Sequence, residues 1–140
     1  LFCGLGNFSL PLARRTGHVV AVEGDEGLVQ RARGNAGRNG IANVEFHAAD
    51  LFKDVAGLPW ARRHYDRVLL DPPRAGAREV LPVVAGSGAR RVVYISCHSG
   101  SLARDAGLLV REHGFRLTAA GVMDMFPHTT HVEAMAVFDR

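Results

Sequence analysis

Short apolar runs along the chain alternate with longer stretches in which apolar residues recur three and four positions apart. Runs rich in β-branched and aromatic residues are typical of buried strands, and the longer spacing is typical of one face of a helix. The pattern predicts strands over residues 18–23, 44–47, 67–70, 91–95, 115–125 and 132–138. It predicts helices over residues 9–15, 28–39, 78–84 and 101–113.

The order of these elements predicts an α/β fold. Strands that alternate with helices form a parallel, doubly wound sheet, because parallel neighbours need a crossover connection. The last two predicted strands have no helix between them, so we expect them to form an antiparallel hairpin. A Rossmann-like doubly wound parallel sheet with a terminal antiparallel hairpin is the plan of class I S-adenosylmethionine-dependent methyltransferases. A nicotinamide-binding Rossmann domain does not normally end in this way.

Leu1-Phe2-Cys3-Gly4 has the character of the last residues of a strand. We therefore expect the first strand to be truncated, and residues 1–140 to be the catalytic-domain fragment of a longer protein. The chain has 140 residues, of which 47% are hydrophobic and 22% charged, an ordinary balance for one globular domain. The two cysteines match no zinc spacing, and no apolar run is long enough to span a bilayer. A reduced, cytoplasmic setting without a membrane partner is expected.

The net charge of +3 and the pI of about 9.4 are compatible with a nucleic acid partner without requiring one. Lys53 is the only lysine, so arginine carries nearly all the positive charge. This preference fits phosphate contacts by guanidinium groups, and it equally fits a coding bias.

Three consecutive predicted strands end in residues that suit an adenosine ligand. Gly4 and Gly6 form a glycine turn, but Ser9 stands where a dinucleotide-binding loop has its third glycine. Glu23 ends the next strand, where a carboxylate can accept hydrogen bonds from both ribose hydroxyls. Asp50 ends the third strand and suits adenine or its surroundings. Each acid by itself also fits a solvated strand end, but together they predict S-adenosylmethionine, an adenosine ligand without phosphates.

Cys97 follows the strand Val92–Ile95 and precedes a predicted helix. Ligands of open α/β sheets bind at this edge, and a helix N-terminus favours a thiolate over a thiol. Cys97 is therefore a candidate nucleophile, with a small core residue as the alternative. The stiff turn Asp71-Pro72-Pro73 ends the preceding strand and can hold Asp71 beside the cofactor and the substrate. Arg74 stands where amino-methyltransferases carry a base-stacking aromatic residue, which disfavours amine methylation.

The residues resemble one family over the whole chain, the RNA uracil-C5 methyltransferases. The resemblance rests on residues 1–13, 71–76, 94–97 with 102–105, and 124–129 with 131–133. Within the family, residues 6–13, 59–61 and 124–129 are most similar to the enzymes of 23S ribosomal RNA, followed by those of tRNA. The resemblance implies RNA as partner, S-adenosylmethionine as cofactor and a monomer. It also implies that a possible 4Fe-4S cluster and an RNA-binding domain lie ahead of this segment, and it implies no metal within it.

The resemblance also assigns roles to single residues. Phe2, Asn7, Glu23, Asp50 and Asp71 match cofactor-contacting positions, together with the glycine turn. Cys97 matches the nucleophile and Glu133 the base. Arg74, Phe126 and His131 are the candidate substrate-binding residues. Phe8 is a weaker stacking candidate, for which a core position is the preferred interpretation.

One departure from the family pattern stands beside the nucleophile. The family usually continues Ser-Cys-Asn-Pro, whereas this chain continues Ser96-Cys97-His98-Ser99. Two other functions stay open on sequence grounds. One is methylation of a protein or small molecule with a structural Cys97, and the other is a non-catalytic RNA-binding module that retains an adenosine pocket.

Overall fold

The computed structural model describes residues 1–125, 128–129 and 132–140. The chain divides into two compact units, Leu1–Leu51 and Phe52–Arg140. Each unit is described by itself below. The expectation that residues 1–140 form a catalytic domain stays a prediction.

The first unit contains a parallel two-stranded sheet with two helices. Its elements are α1 Ser9–Ala13, β1 Val19–Glu23, α2 Glu26–Arg38 and β2 Val44–Ala48. The register runs from Val19 opposite Val44 to Glu23 opposite Ala48. The buried apolar face of α2 packs on the sheet, and the core is formed by Ala21, Val29, Ala32, Ala36 and Phe46. Burial of these side chains supplies the main driving force for this unit.

The second unit contains a mixed four-stranded sheet in the order β3-β4-β6-β5. The strands are β3 Arg67–Leu70, β4 Arg91–Ser96, β5 Arg116–Met123 and β6 Glu133–Asp139. The helices are α3 Leu81–Gly86 and α4 Ser99–Arg111, with 3-10 turns at Pro59–Arg62 and Arg78–Val80. β3 and β4 pair in parallel, and β6 lies antiparallel to both β4 and β5. The predicted parallel pairing and terminal antiparallel hairpin are both confirmed.

Three sequence-based expectations differ from the structure in detail. Residues 1–4 form no strand, although the Cys3 N–H donates a 3.0 Å hydrogen bond to the Val22 carbonyl at the end of β1. The strands lie in two sheets of two and four strands rather than in one sheet. Strand β2 ends at Ala48, so Asp50 follows it by two residues rather than ending it. Strand pairing requires a ladder of backbone hydrogen bonds, which apolar character does not guarantee.

Candidate functional site

The glycine turn lies at the carboxyl end of β1. The Gly6 N–H donates to the Cys3 carbonyl at 2.9 Å, and the Leu10 N–H donates to the Gly6 carbonyl at 3.0 Å. Gly4 and Gly6 have φ angles of +51° and +90°. Residues that carry a Cβ rarely adopt this backbone region. A Cβ added at Gly4 would meet no atom within 4 Å, so the backbone of the turn is open to a ligand there.

The Glu23 carboxylate holds this turn in place. Its Oε2 accepts a hydrogen bond from the Gly4 N–H at 2.9 Å. Its Oε1 accepts from the N–H groups of Gly24 and Asp25, at 2.8 and 3.2 Å. A carboxylate offers about four lone-pair sites, so these three bonds leave Glu23 room to accept from a ligand as well. Glu23 therefore has a structural role that its sequence position does not reveal.

The other predicted cofactor-binding residues of the first unit lie around the same edge. The Ala49 N–H donates to the Glu23 carbonyl at 2.9 Å, which brings the exposed Asp50 to the carboxyl end of both strands. Asn7 is exposed on the turn, and Phe2 is half-buried with a φ of +59°. A positive φ in an aromatic residue is strained, and such strain concentrates at functional sites.

Two further residues support this edge and were not identified from the sequence. The Asn35 side-chain amide on α2 donates to the Leu5 carbonyl at 3.0 Å and anchors the glycine turn. Burial raises the pKa of the Cys3 thiol, and the nearby Glu23 carboxylate raises it further. Cys3 is therefore held as a neutral thiol rather than as a nucleophile.

Strand pairing in the second unit brings the candidate nucleophile and the candidate base to the same end of β4 and β6. Ser96, the last residue of β4, pairs with Ala134 of β6 in antiparallel register. Cys97 directly follows Ser96 in the chain, and Glu133, the first residue of β6, directly precedes Ala134. Paired residues of antiparallel strands have Cβ atoms about 5 Å apart, so the Ser96–Ala134 pair brings Cys97 and Glu133 to the same end of the two strands. Both side chains are half-buried.

Asp71 completes this group as the residue that follows β3. It is half-buried, and burial raises the pKa of its carboxyl group above the usual aspartate value. The nearby negative charge of Glu133 raises the pKa of Asp71 further. Two acids held together at partial burial destabilise a fold, so such pairs are characteristic of functional sites.

A buried network anchors the loop that carries Asp71. The Asp105 carboxylate on α4 is completely buried, and its Oδ2 accepts hydrogen bonds from Tyr94 Oη at 2.6 Å and the Ala77 N–H at 2.7 Å. Arg104 Nε donates to Asp105 Oδ1 at 2.8 Å, and its Nη2 donates to the Ala75 carbonyl at 2.7 Å. The network joins β4 and α4, on either side of Cys97, to the loop that follows Asp71.

Sequence reasoning gave Asp105 no role. The available signal was its spacing on α4, because Ser101, Asp105 and Leu109 are its buried residues and lie four positions apart. A carboxylate on the buried face of a helix needs partners in the core. Gly76 belongs to the same network, because a Cβ there would lie 2.6 Å from Asp105 Oδ2 and would collide with the Arg104 guanidinium.

The candidate substrate-binding residues are less clearly placed. Arg74 is exposed on the loop after Asp71, where it is accessible to a phosphate. Phe126 and His131 lie outside the described residues. The expected core position of Phe8 is wrong, because its side chain is 41% exposed and α1, with only five residues, leaves it at the surface.

Two properties of the described residues concern other kinds of site. Within residues 1–125, 128–129 and 132–140, no three His, Cys, Asp or Glu side chains are grouped so as to hold a metal ion. No helix in this part of the chain is both long and apolar enough to cross a membrane.

Comparison with curated proteins gives close relatives. The chain is 66% identical over all 140 residues to the 23S rRNA (uracil(1939)-C(5))-methyltransferase RlmD of Alkalilimnicola ehrlichii. It is 64% identical over the same length to the RlmD of Xylella fastidiosa strain Temecula1. It covers 32% of each of these proteins, so the chain spans about a third of the relatives it matches.

Comparison with solved structures supports the fold. The tRNA (uracil-54, C5)-methyltransferase of Pyrococcus abyssi, solved with S-adenosyl-L-homocysteine, is 30% identical with a TM-score of 0.81. The match covers 98% of this chain and 32% of that one. TYW2 of M. jannaschii, solved with AdoMet, is 20% identical with a TM-score of 0.71, covering 99% of this chain and 66% of that one. The predicted class I methyltransferase fold is confirmed.

A sequence model of one family, described as tRNA (Uracil-5-)-methyltransferase, matches residues 1–140 and thus the whole chain. The resemblance inferred from the glycine turn, the Asp71 loop and the Cys97 segment agrees with this match. The chain belongs to the tRNA (Uracil-5-)-methyltransferase family.

Proposed function

We propose that the protein methylates C5 of a uracil in 23S ribosomal RNA, with S-adenosylmethionine as methyl donor. The observation that carries the proposal is the register of β4 and β6, whose last pair, Ser96 with Ala134, adjoins both Cys97 and Glu133. Uracil C5 is a weak nucleophile, and its methylation needs both an activating thiolate and a base. The raised pKa of Asp71 beside Glu133 further supports a functional site at this edge.

The first unit carries groups that suit S-adenosylmethionine. The open backbone at Gly4 permits close approach, and the Glu23 carboxylate retains acceptor capacity for ribose hydroxyls. Asp50 and Asn7 are exposed at the same edge. When bound, S-adenosylmethionine supplies an electrophilic methyl group on a sulfonium. Phe2, Gly4, Gly6, Asn7, Glu23 and Asp50 would hold it. Asp71 of the second unit stays a cofactor-contacting candidate by the family resemblance alone.

Cys97 and Glu133 of the second unit act on the target uracil. The Cys97 thiolate forms a bond to C6, and the electron pair of the C5–C6 double bond makes C5 nucleophilic as part of an enolate. Once C5 carries the methyl group, the Glu133 carboxylate removes the proton from C5. The electron pair returns to form the C5–C6 double bond, the C6–sulfur bond breaks, and Cys97 leaves as a thiolate. The target uracil must leave its stack in the RNA to reach Cys97.

The choice of RNA rests on similarity. The relatives that act on 23S rRNA are 61–66% identical to this chain, whereas the tRNA enzyme of known structure is 30% identical. A tRNA uracil is the second candidate, because that enzyme shares the fold at a TM-score of 0.81. Parallel assays of the full-length protein with a 23S rRNA transcript and a tRNA transcript separate the two. Faster methylation of the tRNA would overturn the assignment to rRNA.

The covalent mechanism is tested with Glu133→Gln in the full-length protein. The thiolate can still add and the methyl group can still transfer, but the C5 proton has no base. We expect a methylated protein–RNA adduct that survives denaturing electrophoresis and requires both S-adenosylmethionine and Cys97. Glu112→Gln, at an exposed position after α4, is the matched control and should turn over normally without an adduct. Normal turnover of Glu133→Gln, or inactivity without an adduct, would remove Glu133 as the base.

A further inference from the structure

His98 connects the candidate nucleophile to the helix that follows it. Its Nδ1 accepts a 3.1 Å hydrogen bond from the backbone N–H of Ser101, so the imidazole is the N-cap of α4. An accepting Nδ1 carries no proton, and the ring proton of the neutral imidazole is then on Nε2. His98 satisfies one of the otherwise unpaired N–H groups of the first turn, which is the role usually filled by Asn, Asp, Ser or Thr.

The backbone of His98 is held from both sides. The buried Ser96 Oγ accepts from the His98 N–H at 3.0 Å and donates to the His98 carbonyl at 2.9 Å. Ser101 Oγ also donates to that carbonyl at 3.0 Å. Cys97 lies inside the short turn that these bonds close. Its backbone is therefore positioned by the same contacts that start the helix.

Gly100 gives the imidazole its space. A Cβ at Gly100 would lie 3.0 Å from His98 Cε1, which is closer than ordinary van der Waals contact. The pairing of a ring at position 98 with glycine at position 100 indicates that the turn is built around the histidine. An asparagine at position 98 would have no atom in the place of Cε1.

We infer that His98 is a positioning residue for Cys97, and that its neutral imidazole holds the nucleophile by capping α4. The inference rests on the proposed function of Cys97. A protonated Nδ1 cannot accept a hydrogen bond, so the imidazolium form of His98 cannot cap the helix. Acid conditions therefore release the cap. Asparagine is a good N-cap that does not titrate, and alanine is a poor one.

The charged groups on neighbouring elements do not replace this contact. They are Asp71 after β3, Glu133 on β6, and the Arg104–Asp105 pair on α4. In the described part of the chain, the hydrogen bonds of the His98 ring go to Ser101. The cap therefore depends on the protonation state of His98 itself.

The test measures the rate of covalent adduct formation by the full-length protein with 5-fluorouracil-substituted RNA. The fluorine at C5 prevents the final elimination, so the assay does not depend on Glu133. At pH 8, His98→Asn should react within twofold of the wild type, and His98→Ala about fivefold more slowly. As the pH falls from 8 to 5.5, the rate ratio of His98→Asn to wild type should rise from about one, up to the limit of about five that the alanine variant sets. The pH dependence of steps that do not involve position 98 is shared by both proteins and cancels in this ratio.

Two results would overturn the inference. A ratio that stays constant with pH would show that protonation of His98 has no effect on the nucleophile. A ratio that falls at acid pH would show that the imidazolium activates Cys97 by its charge, which is the opposite role. If the wild type forms no adduct, the proposed function itself fails, which is a distinguishable outcome.

Gly100→Ala supplies a second variant, and ¹⁵N NMR of labelled histidine supplies a measurement independent of activity. Gly100→Ala should slow adduct formation in the wild type and should be tolerated in His98→Asn, because only the imidazole is crowded. The NMR spectrum, with His98 assigned by its loss in His98→Asn, should show an unprotonated Nδ1 at pH 8. Equal effects of Gly100→Ala in both backgrounds, or a protonated Nδ1 at pH 8, would contradict the cap.

Discussion

Tyr94 of β4 donates a 2.6 Å hydrogen bond from its phenol Oη to Oδ2 of Asp105 on α4, and both residues are completely buried. Burial raises the pKa of the Tyr94 phenol far above its usual value, and the bond to the Asp105 carboxylate adds to this effect. Tyr94 therefore stays neutral and acts as a donor. The bond joins the strand before Cys97 to the helix after it.

Tyr94→Phe should lower the free energy of unfolding by roughly 1.5–3 kcal/mol, because hydrogen bonds to charged groups contribute about this much. Denaturant unfolding of the full-length protein measures the change. Tyr65→Phe is the matched control, since its hydroxyl donates at 2.7 Å to the neutral Trp60 carbonyl. Tyr65→Phe should lower the free energy of unfolding by only about 0.5–1.5 kcal/mol. A loss for Tyr94→Phe no larger than for the control would show that the contact with Asp105 has no special weight.

Asp71→Asn should stabilise the protein at neutral pH and impair methylation. The pKa of Asp71 is raised by burial and by Glu133, so the folded state binds this proton more tightly than the unfolded state. Stability then falls as the pH rises from the usual aspartate pKa, about 3.9, through the raised value in the fold. The gain in stability from Asp71→Asn should be absent at pH values below both pKa values of Asp71 and constant at pH values above both.

Thermal unfolding of both proteins from pH 3 to pH 8 measures this difference. Asp124→Asn, at an exposed position, should show no comparable gain and serves as the control. A gain for Asp71→Asn that is the same at every pH would mean that the charge of Asp71 is not its cause.

Glu23→Ala should weaken S-adenosylmethionine binding by roughly 1.5–3 kcal/mol, because it removes charge-assisted hydrogen bonds. The loss should have two parts, since Glu23 also holds the N–H of Gly4. Glu23→Gln keeps one acceptor oxygen, so its affinity for S-adenosylmethionine should fall by less than that of Glu23→Ala. Titration calorimetry measures both, with Glu26→Gln on the exposed start of α2 as the control. Unchanged affinity in Glu23→Ala would remove Glu23 from the cofactor site.

Cys97→Ala should abolish methylation and leave S-adenosylmethionine affinity within about twofold of the wild type, because the thiol acts on the base alone. Calorimetry and a methyl-transfer assay on the same preparation separate the two effects. Retained turnover would refute the covalent mechanism. Loss of cofactor binding would instead show that Cys97 supports the fold of the site.

Much of the architecture could be predicted from local pattern. β3, Arg67–Leu70, has the predicted bounds, and β4 extends one residue beyond its prediction, because their apolar runs are bounded by turn residues or charges. The glycine turn, the acid at the end of β1 and the cysteine before α4 were also visible, since each depends on a residue type at the end of a strand. These features determined the fold class and the family.

Only the tertiary structure decided how these residues are supported. The approach of the Cys97 segment to the start of β6 depends on the register of β4 and β6, which are distant in sequence. The burial of Asp105 and its bond to Tyr94 depend on how α4 packs on the sheet. His98 departs from the family pattern in sequence, yet its ring provides the acceptor that the first turn of α4 requires. Hydrogen bonds over long separations depend on three-dimensional proximity, which the periodicity of a sequence does not encode.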